Sequence, residues 1–325
     1  MLEHGGGVRK AALRFGIPLE AWLDLSTGIN PLPRPPKPLP VACWQRLPED
    51  GDGLEEAAAA CYGTTRLLPL AGSQAAIQLL PRLRPAGRVA VLHPTYAEHA
   101  HAWRMAGHRV ERVTPAGLDA ASEPHDAVVV VNPNNPTGAC LSNDRLLAWH
   151  ARLQENGGWL VVDEAFMDAT PEASLSPLVG LPGLIVLRSL GKFFGLAGAR
   201  VGFLLADAPL LEMARERLGP WSVSGPARHV ARLALADRPW QEETRRRLHE
   251  ASSRLATLLD AHHLTPAGGT ALFQWVPGPE AACRWERLAE QGILTRRFDD
   301  PPGLRFGLPG APGEWERLAL ALARA

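Results

Sequence analysis

An α/β fold with a mainly parallel sheet covered on both faces is what three observations on this 325-residue chain predict. Short Val/Leu-rich runs at 88–92, 127–131, 159–162 and 184–187 are each bounded by turn residues. Helix-length segments separate these runs, the rhythm of parallel strands joined by crossovers. Hydrophobic residues make up 46% of the chain, enough to bury a large core divided between two subdomains.

Composition excludes several classes of function. Formal net charge is +0, so nothing favours nucleic acid or an anionic membrane surface. Cys43, Cys61, Cys140 and Cys283 are far apart, without a C-x-x-C pair, and suggest neither a disulfide framework nor a zinc site. No run is long enough to span a membrane and no leader pattern opens the chain, so a cytoplasmic, soluble protein is expected.

Taken in order, residues 1–45 read as an arm laid over a larger body. His4-Gly5-Gly6-Gly7 leads into a short helix at 8–15, then Asp24-Leu25-Ser26-Thr27-Gly28-Ile29-Asn30-Pro31 and a Pro-rich, extended stretch. The glycines suit either a flexible terminus or a close approach of backbone to a ligand. A helix at 54–61 follows, and Gly72-Ser73-Gln74 opens another, where free backbone N–H groups and a hydroxyl suit a phosphate as well as an ordinary cap. Beyond the four runs come a long Arg-rich helix at 238–260, strand candidates at 271–276, 293–297 and 304–307, and a terminal helix from Glu314. The expected division is an arm (1–45), a large domain (46–215) and a small C-terminal domain (216–325).

The chemistry concentrates at the ends of the runs, where ligands sit in such sheets. Only three of the 34 Lys+Arg residues are lysines, and Lys192 stands alone in Ser189-Leu190-Gly191-Lys192-Phe193-Phe194-Gly195-Leu196-Ala197-Gly198-Ala199-Arg200. A desolvated lysine amine forms Schiff bases with carbonyls, which arginine does not. Asn135 follows the second run, Asp163 the third, and Ser189 the fourth. An amide, a carboxylate, a hydroxyl, an amine and an arginine on one sheet edge suit pyridoxal 5'-phosphate. Lys192 takes its aldehyde, Asp163 its pyridine nitrogen, Asn135 its ring 3-oxygen, and Gly72, Ser73, Ser189 and Arg200 its phosphate. Tyr96 or His99 is placed to stack on the ring.

These motifs resemble the fold-type I pyridoxal-phosphate superfamily. Asn-Pro-x-Asn-Pro-Thr-Gly at 132–138, Asp-Glu-Ala-Phe at 163–166 and Ser-x-x-Lys-x-Phe-Gly-Leu-x-Gly-x-Arg at 189–200 stand in its order and spacing. The resemblance implies a seven-stranded, mainly parallel sheet in the large domain, a smaller α/β domain and a homodimer whose active sites draw on both subunits. Two subfamilies come nearest, histidinol-phosphate aminotransferase and the threonine-phosphate decarboxylase of cobalamin biosynthesis. His4-Gly5-Gly6, the stretch from Asp24 to Pro31, and Pro220-Trp221-Ser222-Val223-Ser224 are similar to the decarboxylases. So is Phe166, where the aminotransferases usually have a tyrosine. That implies L-threonine O-3-phosphate as substrate and (R)-1-amino-2-propanol O-2-phosphate as product. Arg305 matches the superfamily's carboxylate-binding arginine. His4, Gly6, Asn30, Asn135 and Arg297, with Arg296 as the other candidate, are assigned to the substrate.

Three departures bear on how the cofactor is held. Arg46-Leu47-Pro48-Glu49-Asp50 lacks the tyrosine that relatives extend to the neighbouring subunit's cofactor phosphate. Gly191 replaces a common Ser or Thr, and Ser224 a common Asn. Looser retention of the cofactor on dialysis is expected.

Overall fold

The computed structural model describes residues 4–35, 37–121 and 124–324. These fall into two units. The larger contains the described parts of Arg34–Asn135 and Cys140–Glu242; the other contains those of Met1–Pro33, Pro136–Ala139 and Glu243–Ala325. Along the described residues the strands are β1 (Leu23–Leu25), β2 (Leu67–Leu70), β3 (Arg88–Leu92), β4 (Arg109–Val113), β5 (Ala127–Val131), β6 (Trp159–Asp163), β7 (Leu184–Ser189), β8 (Gly202–Leu205), β9 (Gly268–Thr270), β10 (Phe273–Pro277), β11 (Ile293–Asp299) and β12 (Pro302–Gly307).

The larger unit holds a seven-stranded sheet in the order β2-β8-β7-β6-β5-β3-β4. Neighbours from β7 through β4 run parallel, while β8 is antiparallel to both β7 and β2. The mainly parallel α/β fold is as expected. All five residues of β5, Ala-Val-Val-Val-Val, are buried, as a strand covered on both faces requires. On one face Val89, Val91, Val129, Val161 and Ile185 pack with Ile77, Trp103 and Leu210 from helices Ser73–Leu79, Ala97–Met105 and Ala208–Leu218. Each such side chain contributes about 1.5–3 kcal/mol by leaving water.

The apolar runs at 88–92 and 127–131 coincide with β3 and β5. The two strands outside the expected set at the sheet's edges have physical reasons. β4 reads Arg-Val-Glu-Arg-Val, its charges facing solvent at an edge. β2 contains Pro69, tolerated opposite Phe203 because the other side of this strand is an edge that needs no N–H.

In the second unit the sheet order is β1-β11-β12-β10-β9, with β1 parallel to β11 and the other pairs antiparallel. Helix Val8–Phe15, at the bounds its sequence predicts, buries Ala11 against Trp22, Ala289 and Leu294. The Arg-rich helix runs over Arg238–Ala261. No helix among the described residues is long and apolar enough to cross a membrane. None of their His, Cys, Asp and Glu side chains group in threes to hold a metal.

Candidate active site

Strand β7 ends at Ser189, and the chain turns tightly to present Lys192. Gly191 N–H donates to Ser189 Oγ at 3.3 Å, Leu196 N–H to the Leu190 carbonyl at 3.1 Å, and Gly195 N–H to the Lys192 carbonyl at 3.1 Å. Phe193 and Phe194, both fully buried, pack on Trp240 with ring centroids 5.7 and 5.9 Å away. These aromatics anchor the loop, so the amine sits on a rigid support. Lys192 Nζ lies 5.3 Å from the centre of the Phe166 ring.

Asp163 ends β6 beside this loop and is 3% exposed. Its Oδ1 accepts the Ala165 N–H at 3.0 Å, and its Oδ2 lies 2.9 Å from His99 Nε2. His99, itself 1% exposed, sits in the first turn of helix Ala97–Met105. Its ring meets Tyr96 edge-on, at 82° and 6.1 Å. Of the two stacking candidates, His99 is therefore committed to Asp163. Tyr96 is half-buried, and burial first, then the charges of Glu98 and Asp163, push its phenol up to about 12. The Tyr96 hydroxyl is 3.4 Å from Gln74 Oε1, and Gln74 Nε2 donates to Glu98 at 3.0 Å. Gln74 thus braces Tyr96.

A cradle lies at the start of helix Ser73–Leu79. Gly72 has φ +79°, and a Cβ there would come 2.6 Å from Arg200 Nη2. Arg200 itself is left-handed, at φ 54° and ψ 57°, a conformation that costs a non-glycine residue energy and is held by its surroundings. Gly202 on β8 comes so near the helix start that a Cβ would reach 2.5 Å from Ser73 N. Glycine at 72 and 202 lets the Arg200 guanidinium and strand β8 come close to the start of this helix, at Ser73, while the Gly72 N–H itself donates to the Leu70 carbonyl at 2.7 Å.

Asn135 follows β5 in a loop pinned from both sides. Asn132 exchanges hydrogen bonds with Leu141, accepting its N–H at 2.8 Å and donating to its carbonyl at 3.2 Å. Asn134 Nδ2 donates to the Pro94 carbonyl at 2.9 Å, and its Oδ1 accepts from Thr95 Oγ1 at 2.8 Å.

Beneath Asp163 and Ser189 lies a buried ionic network. Arg188 donates to Glu164 at 2.6 Å and to Asp168, and its guanidinium lies 4.6 Å from the Tyr62 ring centre. Glu164 also accepts from Ser174 Oγ at 2.5 Å and Leu175 N–H at 2.7 Å. Burial pulls the Arg188 proton affinity down, but Asp168 and Glu164 overcome it and the net direction is up. Burial raises the Glu164 carboxyl, against the pull of Arg188.

In the second unit, Arg305 on β12 is 6% exposed. Its Nη2 donates to the Ser26 carbonyl at 2.8 Å, and its guanidinium lies 5.1 Å from the Phe273 ring centre. Burial, then the like charge of Arg296, pull Arg305 down to about 9, while Asp24 opposes them. Such a cation favours an incoming anion. Arg296 stands directly opposite Arg305 in the β11–β12 register, so the two share a face. Arg297 alternates to the other face: it pairs with Asp299 at 3.1 Å and lies 5.6 Å from the Trp285 ring centre. Of the two adjacent arginines, Arg296 is the one that shares a face with Arg305. Asn30 is 2% exposed, its Oδ1 accepting the Leu32 N–H at 3.0 Å and facing Arg247 Nη2 at 3.5 Å. Gly6 N–H donates to Ser26 Oγ at 2.7 Å, and His4 is exposed.

The larger unit therefore gathers Gly72, Ser73, Tyr96, Asn135, Asp163, Ser189, Lys192 and Arg200, and the second unit carries His4, Gly6, Asn30 and Arg305. Sequence reasoning missed the His99–Asp163 bond, the Arg188 network and Ser26. Asp24-Leu25-Ser26 carried one usable signal, an Asp two residues before a Ser, the pattern of a side chain that caps its own backbone.

Residues 50–322 match the family model described as aminotransferase class I and II. A threonine-phosphate decarboxylase from Pseudomonas aeruginosa is 58% identical over 99% of this chain and 97% of its own length. Another from a Sinorhizobium species is 48% identical over 99% of this chain and 98% of its own. Among solved structures, a histidinol-phosphate aminotransferase from Sinorhizobium meliloti in complex with pyridoxal-5'-phosphate superposes with a TM-score of 0.73, at 24% identity, over 87% of this chain and 85% of that one.

Proposed function

The chain belongs to the class I and II aminotransferase family, and from that premise we propose that it is a pyridoxal-phosphate-dependent decarboxylase acting on L-threonine O-3-phosphate. The observation that carries this reading is the 58% identity over nearly the whole of both chains to a threonine-phosphate decarboxylase. The product is (R)-1-amino-2-propanol O-2-phosphate, which we place in cobalamin biosynthesis.

The residues present fit the cofactor. Glycine at 72 lets the Arg200 guanidinium approach the start of helix Ser73–Leu79, where a planar fork of donors beside a helix N-terminus suits a phosphate. A buried carboxylate, an amine on a braced loop and a half-buried tyrosine lie in the same unit. When bound, pyridoxal 5'-phosphate supplies an aldehyde for the substrate amine and a ring that accepts the electron pair left at Cα as carbon dioxide departs.

Around it each side chain has one task. Lys192 Nζ would be the amine that holds the cofactor and the group able to carry a proton to the substrate Cα. Asp163, oriented by His99 and the Ala165 N–H, would pair with the pyridine nitrogen and hold a proton there. The Asn135 amide donates to the ring 3-oxygen. Ser73, Ser189 and Arg200 bind the cofactor phosphate, and the Tyr96 ring packs on the pyridine. Phe166 offers no hydroxyl to the 3-oxygen or to a proton on Lys192. Arg305 takes the substrate carboxylate, while Arg296, with His4, Gly6 and Asn30, takes its phosphate. For decarboxylation these contacts would have to fix the position of the carboxylate, and so which bond to Cα is broken.

A homodimer follows from the same reading. Val41, Trp44, Leu47 and Trp221 are 66, 68, 63 and 59% exposed. Trp44 and Trp221 flank a cleft of about 830 Å³ that Arg200 also lines. A partner subunit covering this apolar rim would close the phosphate cradle. Four free cysteines support a reducing, cytoplasmic setting.

The test is incubation of the purified protein and cofactor with L-threonine O-3-phosphate. Release of carbon dioxide with aminopropanol phosphate is expected. A 2-oxo product dependent on 2-oxoglutarate, without carbon dioxide, would overturn the reading.

A further inference from the structure

Around Ser26 three separate pieces of chain meet within the second unit. Ser26 is 2% exposed and directly follows β1. Its backbone carbonyl accepts from Arg305 Nη2 at 2.8 Å. Its hydroxyl accepts the Gly6 N–H at 2.7 Å and donates to Asp24 Oδ1 at 2.5 Å. The Ser26 N–H donates to the same Asp24 oxygen at 2.9 Å. Asp24 thereby fixes both the backbone and the hydroxyl rotor of Ser26. Gly5 lies so close that a Cβ would stand 2.3 Å from the Ser26 carbonyl oxygen. Only glycine fits there.

We propose that Ser26 is a positioning residue that sets two parts of the substrate site at once, holding the His4–Gly6 arm through its hydroxyl and Arg305 through its carbonyl. The proposal rests on the reading of Arg305 and the arm as substrate-binding, and deepens it. The groups it couples act on opposite ends of the substrate, carboxylate and phosphate. Asp24 supplies the orientation and also a compensating negative charge near Arg305, whose own neighbour Arg296 is a cation. One hub keeps the distance between the two anion-binding positions constant, as selection for a substrate with two anionic groups of fixed separation requires.

Ser26→Ala in the cofactor-loaded, full-length protein removes the hydroxyl and leaves the carbonyl. Hydrogen–deuterium exchange at residues 4–7 is expected to speed up about two- to tenfold, the worth of one net hydrogen bond. KM for L-threonine O-3-phosphate is expected to rise by a similar factor with kcat changed less than about twofold, since the lost contact positions a binding group. Ser26→Thr, which keeps the hydroxyl, restores the slow exchange. Gly5→Ala, which leaves Ser26 intact but pushes on its carbonyl, raises KM as well. Unchanged exchange at residues 4–7 in Ser26→Ala would overturn the proposal, as would a fall in kcat with KM unchanged. If the wild-type protein does not decarboxylate this substrate, the functional reading falls, and the exchange measurement still decides the anchoring role of Ser26.

Discussion

His99 Nε2 lies 2.9 Å from Asp163 Oδ2, and both side chains are buried. A buried polar side chain depends on such a partner, because leaving it unsatisfied away from water costs free energy. His99→Phe removes a buried hydrogen bond and leaves its partner oxygen unsatisfied, at a cost of about 1–3 kcal/mol. We expect kcat/KM for L-threonine O-3-phosphate to fall about 10- to 100-fold, and the cofactor to be lost sooner on gel filtration. His99→Asn, which keeps a donor, should recover part of both. Full activity in His99→Phe would show that Asp163 does not need the imidazole.

The two adjacent arginines of β11 should behave differently. Arg296→Ala is expected to raise KM for the phosphorylated substrate by about 10- to 100-fold, as loss of a hydrogen bond to a charged group does. Arg297→Ala should leave KM nearly unchanged, because that side chain pairs with Asp299 on the other face. Competition by inorganic phosphate should weaken in the first variant only. The reverse pattern would mean that the strand alternation does not decide the site.

Arg188→Met leaves Glu164 and Asp168 buried without their cation. Breaking a buried pair on one side costs about 3–5 kcal/mol. Calorimetry should show a thermal midpoint lower by on the order of ten degrees. Neutralising both acids in the same variant, Glu164→Gln with Asp168→Asn, should return much of that loss, because no uncompensated charge then remains. A single variant as stable as the wild type would remove the network from the account of how Asp163 and Ser189 are supported.

Asp52 and Arg228 give a pH-dependent contribution. Partial burial raises the Asp52 carboxyl, but bonds from Arg228 at 2.8 Å and from the Leu54 N–H outweigh it and hold the group below its usual value of 3.8. A carboxyl lowered in the folded state stabilises above its unfolded value, and the contribution is lost as pH falls through the folded one. Arg228→Leu should therefore be less stable than the wild type near neutrality, with the gap narrowing as urea unfolding is repeated below about pH 4. A gap that is constant with pH would assign the effect to packing alone.

Much of the larger unit was legible because its strands are apolar runs that turn polar at one end. Asn135, Asp163, Ser189 and Lys192 each stand at such a change, and the fold brings them into one unit. What escaped depends on register and on distance along the chain. Arg296 and Arg297 are the same residue type, one position apart, and only the pairing of β11 with β12 says which one joins Arg305. His99 and Asp163 are 64 residues apart, and a lone histidine in a helix carries no mark of its partner. Arg188 followed an apolar run that had already satisfied the strand pattern, so its two buried carboxylates had no visible counterpart. β4 fell outside the expected runs because an edge strand can expose its charges and so lacks their apolar pattern.

Arg305 leans on a main-chain oxygen, the carbonyl of Ser26. Every amino acid would present that atom, so the contact cannot be deleted by changing the identity of residue 26. Drift can strip the hydroxyl from this position and still leave the arginine its footing. The vulnerability passes instead to residue 5, where the first carbon of any side chain would collide with the same oxygen. Genetic robustness at one position is thus bought with fragility at another, twenty-one residues earlier in the chain.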